Sequence, residues 1–200
     1  SGVLMSEPVS TVVDVDIEKF FDSIDHEWMM KCLQQRIKDS RMLRLIRRFL
    51  KAGIMEEGKF YQVERGTTQG SLLSPILANI YLHYVLDLWF ERKIKQENQG
   101  FSQLFRYADD FVVCFQYKDE AIEFSLCLKE RLAKFGLKLS EKKSRIIEFG
   151  RYVWQKAQRE GKQMETFDFL GFSFYGAKFK LVKFRVGRKT SQVKFRQKLK

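Results

Sequence analysis

The chain of 200 residues has few of the residues that build metal centres and disulfide frameworks, with only three cysteines and two histidines. Two histidines are too few for a zinc cluster, and Cys32, Cys114 and Cys127 lack metal-ligand spacing and lie among apolar residues. We interpret these cysteines as core thiols of a protein in a reducing cytosol. The sequence has no run of about 18 apolar residues, which a membrane-spanning helix needs. It also shows no secretory signal pattern, so we expect no membrane partner.

Acidic residues are absent from positions 178–200, although this segment contains ten lysines and arginines. The net charge of the whole chain is +12, so positions 1–177 carry only about +2. A solvated terminal tail is one interpretation, but aromatic residues such as Phe179 and Phe184 alternate with the charges. Basic residues with spaced aromatics can follow a phosphate backbone, which predicts a nucleic-acid partner. The candidate contacts are Lys178, Lys180, Lys183, Arg185, Arg188 and Lys189.

Two adjacent carboxylates, Asp109 and Asp110, lie between apolar segments at 104–107 and 111–115. Aromatic and β-branched residues dominate both segments, which predicts two strands joined by a tight turn. Adjacent carboxylates repel each other and are costly to desolvate, and a divalent cation commonly compensates them. A solvated Asp-Asp turn is the alternative.

A third carboxylate, Asp16, lies near the end of an alternating segment at 11–17 that predicts another strand. A lone Asp at a strand end is more often a cap or a turn residue. Beside Asp109 and Asp110, however, it would complete a three-carboxylate site. Such sites hold two Mg²⁺ ions roughly 3.5–4 Å apart and catalyse in-line phosphoryl transfer.

The predicted elements follow the order strand, helix, helix, hairpin, helix, strand, strand, helix, strand. This order indicates an α+β fold in which an antiparallel sheet is backed by helices on one face. Near the C-terminus we predict a polar loop over 152–161 and strands over 166–169, 172–175 and 178–185.

Small residues from Thr67 to Ser74 predict a loop that leads into a helix ending near Lys95. A functional interpretation makes Gln69 and the backbone of Gly70 part of a ligand-binding loop. The alternative is a simple helix-entry loop.

Three segments in the same order resemble the catalytic motifs of reverse transcriptases. They are 16–26, 69–82 and 106–110, the last in the form Arg-Tyr-Ala-Asp-Asp. Segments 79–90 and 167–172 are similar to those of reverse transcriptase-maturases encoded by bacterial group II introns. The chain departs from the family at Thr68, where proline is usual, and at Ser71, where glycine is frequent.

The resemblance implies a polymerase palm that lacks most of the fingers and the thumb, located in the bacterial cytoplasm. It implies RNA-directed DNA synthesis from an intron RNA template, a DNA primer and deoxynucleoside triphosphates, with two Mg²⁺ ions that Mn²⁺ can replace. It also implies assistance to splicing and retrohoming. On this basis we divide the chain into a palm with its primer-grip hairpin (1–177) and a basic segment (178–200) that leads toward a thumb or maturase region.

The resemblance also assigns roles to individual residues. Asp16, Asp109 and Asp110 are expected to be catalytic metal ligands, and the Ile17 carbonyl an additional ligand. Phe21 is expected to contact the sugar and to exclude a 2′-hydroxyl, with a core phenylalanine as the alternative. The remaining expected contacts are Gln69, Gly70 and Lys143 for the nucleotide, and Phe169, Leu170 and Gly171 for the primer grip. Lys143 is a candidate general acid for the departing pyrophosphate, and a plain surface lysine is the alternative.

Two other functions fit parts of the pattern. An RNA-directed RNA polymerase shares the palm, and Asp22 could be mistaken for the second aspartate of its first motif. An RNA-binding module that assists splicing without chemistry would need the basic segment but not the carboxylates. Comparison of deoxynucleotide with ribonucleotide incorporation, and of binding with extension, separates these functions.

Overall fold

The computed structural model describes residues 2–51, 54–56, 59–61, 66–67, 73–179 and 183–191. It divides into two compact units. The sheet unit comprises Ser1–Asp16, Glu91–Cys127 and Ser140–Lys200, and the helical unit comprises Ile17–Phe90 and Leu128–Leu139. Within the described ranges, no helix combines the length and the apolar character needed to cross a membrane.

The chain combines helices with antiparallel strands, as an α+β fold does. The helices are α1 (Gly2–Ser6), α2 (Phe20–Ser23), α3 (His26–Gln34), α4 (Ser40–Lys51), α5 (Ser74–Leu82), α6 (Lys95–Glu97), α7 (Lys118–Lys134) and α8 (Arg151–Arg159). The strands are β1 (Thr11–Val15), β2 (Ile54–Glu56), β3 (Lys59–Tyr61), β4 (Ser102–Tyr107), β5 (Asp110–Phe115), β6 (Arg145–Glu148), β7 (Phe167–Phe169), β8 (Phe172–Phe179) and β9 (Lys183–Thr190). The predicted α+β class is confirmed.

The main sheet of the sheet unit has the strand order β4-β5-β1-β6, and all neighbouring strands are antiparallel. Its inner strands are buried on both faces, because β1 and β5 consist mainly of valine and phenylalanine. On one face, Phe115 packs against Phe124 of α7, with ring centroids 5.3 Å apart. On the other face, Val12 and Val112 join a core with Phe167 and other residues of the second sheet. The helix on one face agrees with the prediction.

The second sheet, β7-β8-β9, differs from the prediction in its strand limits. Strand β8 continues to Phe179 and β9 runs from Lys183 to Thr190, whereas strands ending at 175 and 185 were expected. The misleading residue is Gly176, which suggests a break. A β-carbon there would lie 2.8 Å from Cδ1 of Trp154, so this glycine gives room for a packed ring within a continuous strand.

The predicted polar loop over 152–161 is wrong, because residues Arg151–Arg159 form α8. Trp154 is buried and packs on Phe184 of β9, with ring centroids 5.9 Å apart. One buried aromatic residue therefore anchors a helix whose remaining surface is largely polar. Because residues 152–161 are mostly polar, their composition did not predict this buried contact.

The helical unit contains most of the long predicted helix, in which α5 is followed by a π-helical turn at His83–Asp87. A second π-helical turn is Phe90–Ile94, whose residues 91–94 belong to the sheet unit. Arg131 of α7 donates hydrogen bonds to the Val85 and Tyr84 carbonyls, at 2.9 and 3.3 Å. These contacts satisfy carbonyl groups of the wider turn. Asp25 caps α3 as predicted, because its carboxylate accepts the Trp28 N–H at 2.9 Å.

The cysteines agree with the prediction of core thiols at two of their three positions. Cys32 and Cys114 are buried, whereas Cys127 is half-buried. Burial raises the pKa of the Cys114 thiol to about 12 and that of Cys32 to about 11. Both buried thiols are therefore protonated at neutral pH and are poor nucleophiles.

Candidate active site

The three predicted catalytic carboxylates lie at one end of the main sheet. Asp109 lies in the turn between β4 and β5, and Asp110 begins β5, where it pairs with Tyr107. Strand β1 pairs antiparallel with β5, and the last pair is Val15 with Phe111. The next step in this register sets Asp16 opposite Asp110. Two carboxylates from sequence-distant strands therefore meet at the same sheet end, as the sequence predicted.

The turn that carries Asp109 and Asp110 has an unusual backbone. Ala108 adopts a φ of 54°, in the left-handed region that alanine rarely occupies. The Arg106 guanidinium donates to the Ala108 carbonyl at 2.9 Å and supports this conformation. Backbone strain of this kind is concentrated at functional sites. Here it determines where the paired carboxylates leave the sheet.

Asp16 is held by the turn Ser140–Ser144. The Ser140 N–H donates to the Asp16 carbonyl at 2.9 Å, and the Asp16 N–H donates to Ser144 Oγ at 3.3 Å. Lys143 of the same turn lies with its Nζ 3.3 Å from Asp16 Oδ2. A predicted nucleotide-binding lysine and a predicted metal ligand are thus paired with each other.

The predicted primer-grip residues form the tip of the β7–β8 hairpin. Leu170 and Gly171 are the two turn residues, with φ values of 52° and 79°. The Leu170 N–H donates to Asp110 Oδ2 at 3.4 Å, so the hairpin tip contacts a predicted catalytic carboxylate directly. Phe169 ends β7, and the large side chain of Leu170 is exposed.

A further carboxylate at this sheet end, Asp14, was not predicted from the sequence. Burial raises its pKa to about 6; the Arg145 guanidinium, 3.4 Å away, opposes this rise, and the Asp110 and Asp168 carboxylates add to it. Side chains alternate along a strand, so Asp14 and Asp16 lie on the same face of β1. That alternation was the signal available in the sequence.

Asp168 belongs to the same group of acids and is already satisfied. Its two carboxylate oxygens accept hydrogen bonds from the hydroxyls of Ser173 and Ser191, both buried. Asp168 therefore joins the strands of the second sheet and is not a ready metal ligand.

Within the described part of the chain, no group of three or more histidine, cysteine or acidic residues is arranged to hold a metal ion. The predicted three-carboxylate cage is therefore not assembled as such. Its donors still suit Mg²⁺ in kind, because carboxylates are hard oxygen ligands and Asp16 and Asp110 share one sheet end. The cation beside Asp16 in this structure is the Lys143 ammonium group.

Comparison with known proteins identifies the family. Residues 6–174 match the family described as reverse transcriptase (RNA-dependent DNA polymerase). The chain belongs to the reverse transcriptase family. The group II intron-encoded protein LtrA of Lactococcus lactis subsp. cremoris is 33% identical over 137 residues, which are 67% of this chain and 22% of LtrA.

The chain matches only part of the length of other similar proteins as well. An uncharacterized 91 kDa protein in the cob intron of Schizosaccharomyces pombe is 48% identical over 71 residues, 36% of this chain and 9% of that protein. The chain thus spans less than a quarter of either relative. The structure of Candida albicans telomerase with a telomeric RNA fragment superposes with a TM-score of 0.65 at 14% identity, over 87% of this chain and 31% of that one. This likeness supports the palm fold alone.

In this member of the reverse transcriptase family, the expected sugar contact Phe21 is half-buried in α2, whereas its neighbour Phe20 is buried. The Phe21 carbonyl accepts the Thr67 N–H at 2.8 Å. A β-carbon at Gly66 would lie 2.7 Å from Asp22 Cα, so only glycine allows this approach. The start of the predicted loop 67–74 is therefore attached to α2, a contact that was not predicted from the sequence.

Several predicted residues cannot be described structurally. Gln69 and Gly70, with the family departures Thr68 and Ser71, lie outside the described residues, and so does Lys180. Ile17, the expected source of a carbonyl ligand, is buried and forms an isolated β-bridge with Leu139 in the helical unit.

Part of the basic segment is a strand. Lys183 begins β9. The basic side chains of this segment whose exposure the structure describes are all exposed. They are Lys178 on β8 and Arg185, Arg188 and Lys189 on β9. Val186, between them, is buried. The sheet therefore presents these cations in a fixed arrangement, and the alternative of a solvated tail does not apply to them.

Proposed function

We propose that this chain is the polymerase core of an RNA-directed DNA polymerase, which adds deoxynucleotides to the 3′-hydroxyl of a primer on an RNA template. Membership of the reverse transcriptase family across 6–174 supports this function. The observation that carries the proposal is the β1–β5 register, which sets Asp16 opposite Asp110. Two contacts between predicted site residues of other segments support it as well, because Lys143 pairs with Asp16 and the Leu170 N–H donates to Asp110.

Asp16, Asp109 and Asp110 would hold two divalent cations, Mg²⁺ or Mn²⁺, and the Ile17 carbonyl would add a ligand. When bound, the cations supply Lewis-acid activation of the primer 3′-hydroxyl and charge stabilisation for the leaving pyrophosphate. The protein positions the carboxylates through the register of β1 and β5 and through the Ser140–Ser144 turn.

The remaining residues orient the substrates. The exposed Leu170 side chain, at a hairpin tip that touches Asp110, would support the primer end near the carboxylates. Phe21 would oppose a 2′-hydroxyl on the incoming nucleotide, and Gln69 and Gly70 would contact the nucleotide and the template base. Such positioning accounts for a large part of catalysis in two-substrate reactions.

We further propose that the RNA is an intron and that the protein assists splicing and retrohoming. Two relatives are named as intron-encoded or intron-located proteins, which supports this substrate class. The exposed cations on β8 and β9 offer a surface for RNA phosphates. These cations also favour a second candidate function, an RNA-binding module without polymerase chemistry.

Primer extension on a defined RNA template tests the polymerase proposal. The assay uses this chain and a protein extended on both sides to the length of the LtrA-like relatives. Asp109→Asn should lower the extension rate at least about 100-fold, because it removes a group that stabilises transition-state charge. Asp119→Asn, which removes an exposed carboxylate on α7, is the matched control and should have no such effect.

The outcomes separate the candidate functions. Extension from ribonucleotides in preference to deoxynucleotides would identify an RNA polymerase instead. If neither protein extends a primer but both bind RNA, and Asp109→Asn leaves that affinity intact, the binding module is the correct function.

A further inference from the structure

The turn Ser140–Ser144 is closed on itself and attached to Asp16 on both sides. The Ser140 carbonyl accepts the N–H groups of Lys143 and Ser144, at 3.1 and 2.8 Å. The same turn binds both backbone polar groups of Asp16, through the Ser140 N–H and Ser144 Oγ. The base of the Lys143 side chain is therefore fixed relative to Asp16 before any ligand arrives.

From this anchored backbone, the Lys143 ammonium group reaches the Asp16 carboxylate. Its Nζ lies 3.3 Å from Asp16 Oδ2, and the two side chains are 71% and 45% exposed. An exposed lysine on a flexible stem gains little from such a pair and can leave it readily. Its backbone anchor nevertheless keeps the ammonium group within reach of Asp16.

The surroundings of Asp16 explain why a local cation is useful there. Asp110 lies opposite Asp16 in the strand register, and Asp14 lies on the same face of β1. Like charges at this sheet end repel each other unless a cation is present. Lys143 supplies one positive charge in the state without ligands.

We propose that Lys143 is a built-in counter-ion of Asp16 that competes with divalent cations for this carboxylate and so sets the metal affinity of the site. A cation that binds Asp16 displaces the ammonium group, which remains tethered beside the site by the Ser140–Ser144 turn. This inference rests on the proposed function in one respect, the assignment of Asp16 as a metal ligand.

Titration of the metal-free chain with Mn²⁺, followed by the electron paramagnetic resonance signal of free Mn²⁺, tests this competition. Lys143→Gln should lower the dissociation constant about two- to fivefold, the range that loss of an exposed ion pair allows. Lys142→Gln removes the same charge from the adjacent exposed position and is the matched control. It should change the constant less, because only general electrostatics is altered.

Asp16→Asn identifies the site. The single variant should lose the Mn²⁺ site that responds to Lys143, and the double variant Asp16→Asn with Lys143→Gln should show no gain in affinity over it. Thermal unfolding of each variant checks that the fold is retained.

Equal effects of Lys142→Gln and Lys143→Gln, weaker binding in Lys143→Gln, or no Mn²⁺ binding at Asp16 would each overturn the inference. The titration contains no primer and no nucleotide, so its outcome is independent of polymerase turnover. Primer extension with an unchanged Mn²⁺ affinity rejects the counter-ion alone, and the expected Mn²⁺ shift without primer extension rejects the polymerase function alone.

Discussion

Adjacent phenylalanines show how much single residues decide in this protein. Phe20 is buried, whereas Phe21 keeps part of its ring accessible while its carbonyl holds the Thr67 backbone. The two rings pack edge to face with their centroids 5.4 Å apart, so the buried ring supports the accessible one. Phe20 is therefore a core residue, as predicted, and the contact of Phe21 with the nucleotide sugar stays a prediction.

Phe21→Ala should admit ribonucleotides. Removal of the ring opens space for a 2′-hydroxyl, and the ratio of deoxynucleotide to ribonucleotide kcat/KM should fall by roughly 10- to 200-fold, the range for a change of pocket size by one small group. Single-nucleotide incorporation from the two nucleotide pools measures this ratio. Phe21→Tyr keeps the bulk of the ring and should keep the discrimination. An unchanged ratio in Phe21→Ala would remove Phe21 from the sugar contact.

At the level of elements, the sequence predicted those parts of the fold whose signal is local. The alternation and the β-branched composition of 11–17 and 111–115 predicted two strands of the main sheet, and the Asp25 cap predicted the start of α3. The position of the carboxylates followed from these local signals, because antiparallel pairing of the two strands brings their acidic ends together.

Elements that depend on distant partners were not predictable in this way. The anchor of α8 is the contact of Trp154 with Phe184, 30 positions away, and Gly176 within β8 leaves room for the same tryptophan. Asp14 has its ion-pair partner, Arg145, on the neighbouring strand of the sheet. Glycine is required at position 66 because the backbone of Asp22 approaches it closely. Each of these residues has an ordinary local context, and only tertiary packing gives it a role.

Trp154→Ala should therefore destabilise the protein strongly. Trp154 is 4% exposed, and its removal leaves a cavity against Phe184 and Gly176, which should lower the free energy of unfolding by about 3–5 kcal/mol. Tyr152 is the matched control on the same helix, because it is 62% exposed, and Tyr152→Ala should change stability by no more than about 0.5 kcal/mol. Urea denaturation measures both. Similar losses in the two variants would contradict the buried anchor.

For the molecule as a whole, charge is the property that most directly indicates a partner. A net charge of +12 attracts any polyanion, but the exposed cations fall into separate groups with different settings. The exposed cations of β9 lie on either side of the buried Val186 and are held by a strand. The exposed cations of α4 lie beside exposed apolar residues such as Phe49. General attraction and a defined RNA path therefore make different predictions for these two groups.

If RNA follows β9, removal of two of its cations should weaken the salt dependence of RNA binding. Each phosphate contact to single-stranded RNA contributes about −0.7 to the slope of log K against log salt concentration, so Arg188→Gln with Lys189→Gln should reduce the magnitude of the slope by about 1.4. Arg44→Gln with Arg48→Gln removes the same charge from exposed positions of α4 and is the matched control. Filter binding across a salt series measures both slopes. Equal reductions of the slope in the two double variants would mean that RNA responds to net charge alone. A reduction confined to the β9 variant identifies this strand as the phosphate contact, because counterions are released only where cations and phosphates meet.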